Sequence, residues 1–212
     1  LKSEVFKSEK RYDQLSLIYE QKIKKKNTEN LGLRGMMEHY LRAQDYHHAF
    51  LYANKLFERN PFIEKIYETL VSIVTKTNNW QELEKITNKA FQKKIINKKI
   101  SQENKSIAFY EIAKIKKYSE PQESFKLISK ALDLRKNFPP YVELYIELLI
   151  EEKKYKIAKK FLKQVWSQMP YINYKFIIEN LALPTPIPQT LAVISDKNKK
   201  YTIAGWKVYT PK

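Results

Sequence analysis

A recurrence every 34 residues decides most of what this chain can fold into. Leu15, Ala49 and Leu83 stand 34 residues apart, and Ser124 and Ala158 are 34 apart again. Each is the inward residue of the second of two amphipathic segments. The pair is clearest over 31–61, where Leu33, Met36, Met37, Tyr40 and Leu41 form one stripe at helical spacing and Ala49, Phe50, Ala53, Leu56 and Phe57 form another. Ala43-Gln44-Asp45-Tyr46 reads as a tight polar turn between them. Asn60-Pro61 stops the second helix, because proline lacks the amide hydrogen and pushes the preceding residue out of the helical region. One such pair cannot bury its apolar stripes alone and must stack on copies of itself.

The copies divide the chain into a truncated unit at 1–29, full units at 30–61, 62–97, 98–138 and 139–170, a capping helix at 171–183 and a proline-rich linker and tail at 184–212. The step from Leu83 to Ser124 is 41, so seven residues are inserted, and the lysine- and asparagine-rich stretch 93–105 is where a longer loop is expected. Helix one of the third unit is expected over 101–117, with Ser101 and Asn104 as an imperfect capping box, and its second helix opens at Ser119-Glu120-Pro121. Pro61 and Pro170 each follow their alanine, Ala49 and Ala158, by 12 residues. The tail, 190–195 and 201–209, alternates enough for a β-hairpin. The fold class expected is all-α, a tetratricopeptide-type helical-hairpin solenoid with a C-terminal cap and a short extended or hairpin tail.

No apolar run approaches the roughly 20 residues of a membrane span. The sequence opens at Leu1 partway through a helical pattern, so more chain is expected upstream. There is no cysteine, hence neither disulfide nor thiolate metal site, and three glycines are too few for a phosphate-cradling loop. With neither a cysteine nor a glycine-flanked serine, nucleophilic catalysis has no recognisable motif, and the paired acids Glu151-Glu152 sit among lysines at a polar helix end. No enzyme and no cofactor is expected. Forty Lys and Arg against 23 Asp and Glu give +17. Most of the excess is lysine spread through every helix, as expected of solvated helix faces in a chain from an AT-rich coding sequence.

Leu31-Gly32-Leu33-Arg34-Gly35-Met36, followed by Tyr40-Leu41 and Asp45-Tyr46, is more particular than the period. It resembles the repeat domain of the HemY family, the tetratricopeptide proteins associated with haem biosynthesis in proteobacteria; Asn79-Trp80 and Val165-Trp166 to Pro170 add to the resemblance. The family implies upstream membrane helices, a repeat domain facing the cytoplasm at the bacterial inner membrane, and a role in organising haem-pathway enzymes. The tail lacks the cysteines that many alphaproteobacterial relatives carry in a zinc-ribbon-like segment.

Repeats of this kind bind partners through the concave face, an extended groove lined by the first helix of each unit. The corresponding positions are Arg34, Glu38 and Arg42, then Glu68 and Lys76, then Phe109 and Lys117, then Glu143, Glu147 and Glu151. A planar guanidinium fork suits carboxylates, so Arg34 and Arg42 are the candidate carboxylate clamp for a partner protein or peptide, and local pairing with Glu38 is the competing reading. His39, His47 and His48 are the only histidines, but His47 and His48 are adjacent and diverge by about 100° on a helix, which argues against a ligand set. Lysine stretches such as 22–26 and 153–160 offer an anionic membrane surface or nucleic acid as alternative partners. No nucleic-acid recognition signature accompanies them.

Overall fold

The computed structural model describes residues 12–63, 65–168, 194–195, 200–203 and 206–209. The described residues form nine helices: α1 Tyr12–Ile23, α2 Glu29–Arg42, α3 Tyr46–Arg59, α4 Ile66–Lys76, α5 Trp80–Gln92, α6 Lys98–Lys116, α7 Pro121–Leu134, α8 Pro139–Glu151 and α9 Tyr155–Gln168. In the tail β1 Ile194–Ser195, β2 Lys200–Ile203 and β3 Trp206–Tyr209 pair antiparallel in that order. The run expected as one strand over 201–209 thus contributes to two strands paired with each other. The expected capping helix at 171–183, Pro170 and the linker at 184–193 lie outside the described residues.

The same turn closes the helical pair in three units. Gln44, Asn78 and Lys153 all take left-handed φ, at 58°, 53° and 58°. Behind them, the amides of Asp45, Asn79 and Lys154 donate to the carbonyls of Tyr40, Val74 and Leu149 at 2.8–2.9 Å. This six-residue closure consumes carbonyls that the helix end leaves unpaired. Asp45 and Asn79 then start the next helix, their side chains accepting the amides of His48 and Glu82. At the corresponding turn of the third unit, Pro121 supplies the first helical residue of α7 instead.

Contacts divide the chain into two units, residues 1–112 and 113–212. In the first, Leu33, Ala49, Ala53, Leu56, Phe57, Ile66, Leu70, Leu83 and Ile86 form one core, each at most 2% exposed. In the second, Val142, Ile146, Leu149, Ala158, Leu162 and Val165 do the same. The four inward residues of the recurrence within the full units, Ala49, Leu83, Ser124 and Ala158, are 0–1% exposed. Ser124 satisfies its hydroxyl by donating to the Ala113 carbonyl at 2.8 Å.

The seven inserted residues lengthen a helix and not a loop. The connection from α5 to α6 is only 93–97, and α6 runs for 19 residues where α4 has 11. Asn97 starts it, its side chain accepting the Ile100 amide at 2.9 Å, so Ser101 is not the cap; it is buried at 3% exposure. Asn104, expected to complete a capping box, instead donates to the Tyr67 hydroxyl at 2.7 Å, and that hydroxyl shares a 3.2 Å hydrogen bond with the buried Thr87. A polar seam therefore ties α4, α5 and the added turns of α6. A loop would have left this stretch of backbone groups without helical partners.

Gly32 and Gly35 have a packing reason. A methyl group on Gly32 would meet the Tyr19 carbonyl oxygen, the Ile23 amide nitrogen and the Ile23 side chain at 2.7 Å, and one on Gly35 would enter the Tyr19 ring. The Gly-x-x-Gly spacing is the groove in α2 that receives α1, and Thr28 locks the turn between them by donating its hydroxyl to the Lys22 carbonyl at 2.9 Å.

Candidate functional site

Helix α2 buries Leu33, Met36 and Met37 and turns Arg34 and Arg42 outward. Arg34 is 57% exposed in its side chain, and its Nε donates to Glu38 Oε1 at 3.3 Å. The local pairing read as the competitor of binding is therefore present, but a surface pair of this spacing is worth only about 0.3–0.5 kcal/mol and yields readily to a better acceptor. Arg42 lies eight residues, or about 12 Å of helix, further on, so the two guanidinium groups reach two separate carboxylates and not one. On α4, Glu68 and Lys76 are exposed, and the Lys76 ammonium sits 5.2 Å from the Tyr46 ring centroid, above the turn between α2 and α3. Phe109, on α6, is half-buried and engaged by a neighbour.

The candidates of the second unit form a cluster of their own. Lys117 follows α6, is only 15% exposed, and reaches Glu147 at 3.0 Å and Glu151 at 3.1 Å, one turn apart on α8. Burial alone would pull its pKa down; the two carboxylates outweigh that and hold it above the ordinary lysine value. The lysine is committed to joining these elements, while Glu147 and Glu151 remain 50% and 43% exposed. Glu143, one turn earlier, is half-buried and engaged.

The three histidines converge on one turn, which adjacency in sequence did not reveal. The His48 ring stacks on Tyr40 at 4.9 Å and Tyr40 on Tyr52 at 5.6 Å, while His39 meets Tyr40 edge-on at 5.2 Å and His47 meets His48 at 5.5 Å. His48 Nδ1 lies 2.7 Å from Asp45 Oδ2, so this imidazole is occupied in the helix start. Among the described residues no group of three His, Cys, Asp or Glu is placed to hold a metal ion. The Asp45 carboxyl is held below the ordinary aspartate value, first by the His48 amide and then by the His48 ring. A depressed carboxylate contributes stability above its unfolded pKa and loses it as pH falls through its folded one. Wild type is therefore expected to melt higher than Asp45→Ala at neutral pH, and the gap to close once the pH drops below the aspartate range, as read by circular dichroism.

Apart from the concave groove expected along the first helices, α1, α2 and α3 frame a groove of about 460 Å³ lined by none of the residues expected to bind a partner protein or peptide. Ile23, Leu33 and Tyr52 supply apolar walls, and Glu20, Lys24 and Lys55 supply charge of both signs. Glu29 and Arg59 pair across its edge, and Lys89 pairs with Glu58, which also lines it. Burial pushes the Tyr52 phenol above its usual pKa. The only sequence signal was the recurring spacing, which places these helices side by side without saying how far apart they stand.

No family model and no curated protein matches the chain. Solved structures do. The chain is similar to a structure of Naa15/Naa10 bound to HypK-THB, with a TM-score of 0.54 at 15% identity, covering 85% of this chain and 28% of that one; it thus spans little more than a quarter of that neighbour's length. It is also similar to YrrB, described as a TPR protein with an unusual peptide-binding site (TM-score 0.41, 9% identity, 84% and 88% covered), and to PilF of Pseudomonas aeruginosa (0.40, 12%, 78% and 72%). None of these likenesses points to HemY, whose resemblance rests on sequence alone. Recurring helical pairs and repeated turns, with the fold likeness to the Naa15/Naa10 structure, make the fold a tetratricopeptide-type helical solenoid.

Proposed function

We propose that the chain is a non-catalytic scaffold that binds protein or peptide partners through the outward faces of its first helices, with Arg34 and Arg42 receiving partner carboxylates. The observation that carries this reading is the division of α2, apolar on one side and presenting two exposed arginines on the other, with Arg34 held only by a surface pair through Nε. Glu68 and Lys76 on α4 give the same unit charge of both signs, which favours an ordered polar partner over a uniform polyanion. Of the lysines in the stretch 153–160, Lys154 is tied to Glu152, and outside the lysine stretches Lys85 and Lys89 are tied to Glu82 and Glu58.

The resemblance of Leu31–Met36 and its surroundings to the HemY repeat domain extends the proposal: the partners would be haem-pathway enzymes, and the repeats would face the cytoplasm at the bacterial inner membrane. Fluorescence anisotropy of labelled peptides tests the general reading. Peptides with acidic carboxyl-terminal ends are expected to bind, weakening as salt shortens the Debye length from about 10 Å towards 3 Å. Equal binding of lysine-rich peptides, or none of either, contradicts it.

A further inference from the structure

The second helices of successive units can be compared position by position, and those of the middle two full units, α5 and α7, share an acid–lysine pair that α9 lacks. In α5, Glu82 pairs with Lys85 three residues later at 2.6 Å; in α7, Glu123 stands 3.8 Å from Lys126 at the same repeat positions. The equivalents in α9 are Ile157 and Lys160. Ile157 is 52% exposed although β-branched and apolar, and α9 contains no acidic residue at all. Lys156, Lys160 and Lys163 are exposed at spacings of four and three, hence on one face, with Ile157 at its edge about 60° from Lys160, and no carboxylate among the described residues pairs with them. The opposite side of the helix, Ala158, Leu162 and Val165, is buried in the unit's core at 0–2% exposure. The apolar content of the outward face is therefore not a packing requirement of the fold.

We propose that this face of α9 is a docking surface for an anionic lipid bilayer. The three ammonium groups span about 10 Å along the helix, within roughly one Debye length, so they act together on a charged surface. They are lysines, compact charges on long apolar stems that can reach headgroup phosphates while the stems lie along the interface, and no arginine fork for bidentate recognition accompanies them. Ile157 decides between polyanions. An exposed isoleucine at the edge of a lysine stripe offers nothing to a sugar–phosphate backbone but gains by entering the headgroup–acyl boundary. This surface shares no residue with the arginines of α2, so the two proposals stand or fall independently.

Sedimentation with phospholipid vesicles tests it. The chain is expected to sediment with phosphatidylcholine vesicles containing about a third phosphatidylserine, and not with phosphatidylcholine alone, at about 0.1 M salt. Ile157→Glu, which rebuilds the acid–lysine pair of α5 and α7, is expected to weaken partitioning about ten-fold, and Lys156→Glu with Lys160→Glu and Lys163→Glu to weaken it more than 100-fold. Reversing Lys85 and Lys126 is expected to leave it within about two-fold. All these positions are exposed, so unchanged helicity and melting temperature show that the variants fold. Binding that ignores phosphatidylserine, a triple variant that partitions like wild type, or a random oligonucleotide held by the same lysines more tightly than the vesicles overturns the proposal.

Discussion

Gly32→Ala is expected to destabilise the first unit by about 3 kcal/mol, and Gly35→Ala by about 2 kcal/mol, in urea unfolding followed by circular dichroism. Both changes replace glycine inside a helix by the best helix former, which on propensity alone would add about 1 kcal/mol each. Packing reverses the sign. At Gly32 the new methyl meets backbone atoms, the Tyr19 carbonyl and the Ile23 amide at 2.7 Å, and backbone can yield only by moving α1 as a whole. At Gly35 it meets the ring of Tyr19, itself 5% exposed and packed against Leu15 and Met36, so the ring has little room to turn. The neighbouring motif residues are different: Leu31 is 54% exposed and Arg34 is outside the core, and alanine at either is expected to change stability by no more than about 0.5 kcal/mol. A motif that reads as one unit in the sequence thus separates into two packing glycines, two core residues, Leu33 and Met36, and two exposed positions, of which Arg34 is the candidate for binding.

Phe57→Ala is expected to cost about 3–5 kcal/mol and Phe91→Ala about 1 kcal/mol or less, although the two phenylalanines occupy the same repeat position 34 residues apart. Phe57 is 0% exposed within the core formed by α2 to α6, so truncation leaves a cavity that surrounding helices cannot close. Phe91 is 41% exposed and meets the Lys105 ammonium at 5.9 Å, near the start of the lengthened α6. Removing it gives up part of one hydrophobic face and one exposed cation–π contact. Both variants unfold the same unit, so a single denaturation series compares them directly.

The period carried the fold because its physics is local. An apolar residue every third or fourth place makes a helix, and Ala49, Leu83, Ser124 and Ala158 mark where two helices touch; all four are buried. What the period could not carry was anything set by distance between helices. Lys93 to Lys105 is polar enough for a loop, but Asn97 can cap a helix and Asn104 finds Tyr67 across the pair, so the added residues become two more turns of α6. Phe91 looks as inward as Phe57 from spacing alone. Among the candidate binding residues, α2 and α4 present the exposed charges their spacing suggested, whereas the depth of Lys117 and its two carboxylate partners depends on where α8 lies. For the groove framed by α1, α2 and α3 the recurring spacing aligned the helices but not their separation, because its walls are ordinary stripe residues and its charges ordinary surface ones.

The most direct test of the binding account is the affinity of an acidic, fluorescein-labelled peptide for the variant carrying Arg34→Ala and Arg42→Ala, measured beside its melting curve. Losing two charge-assisted contacts of about 1.5–3 kcal/mol each should weaken binding at least about 100-fold, while the melting temperature stays within about 2 °C of wild type because neither side chain packs in the core. Wild-type affinity in a folded variant would contradict the account and move the binding face away from α2.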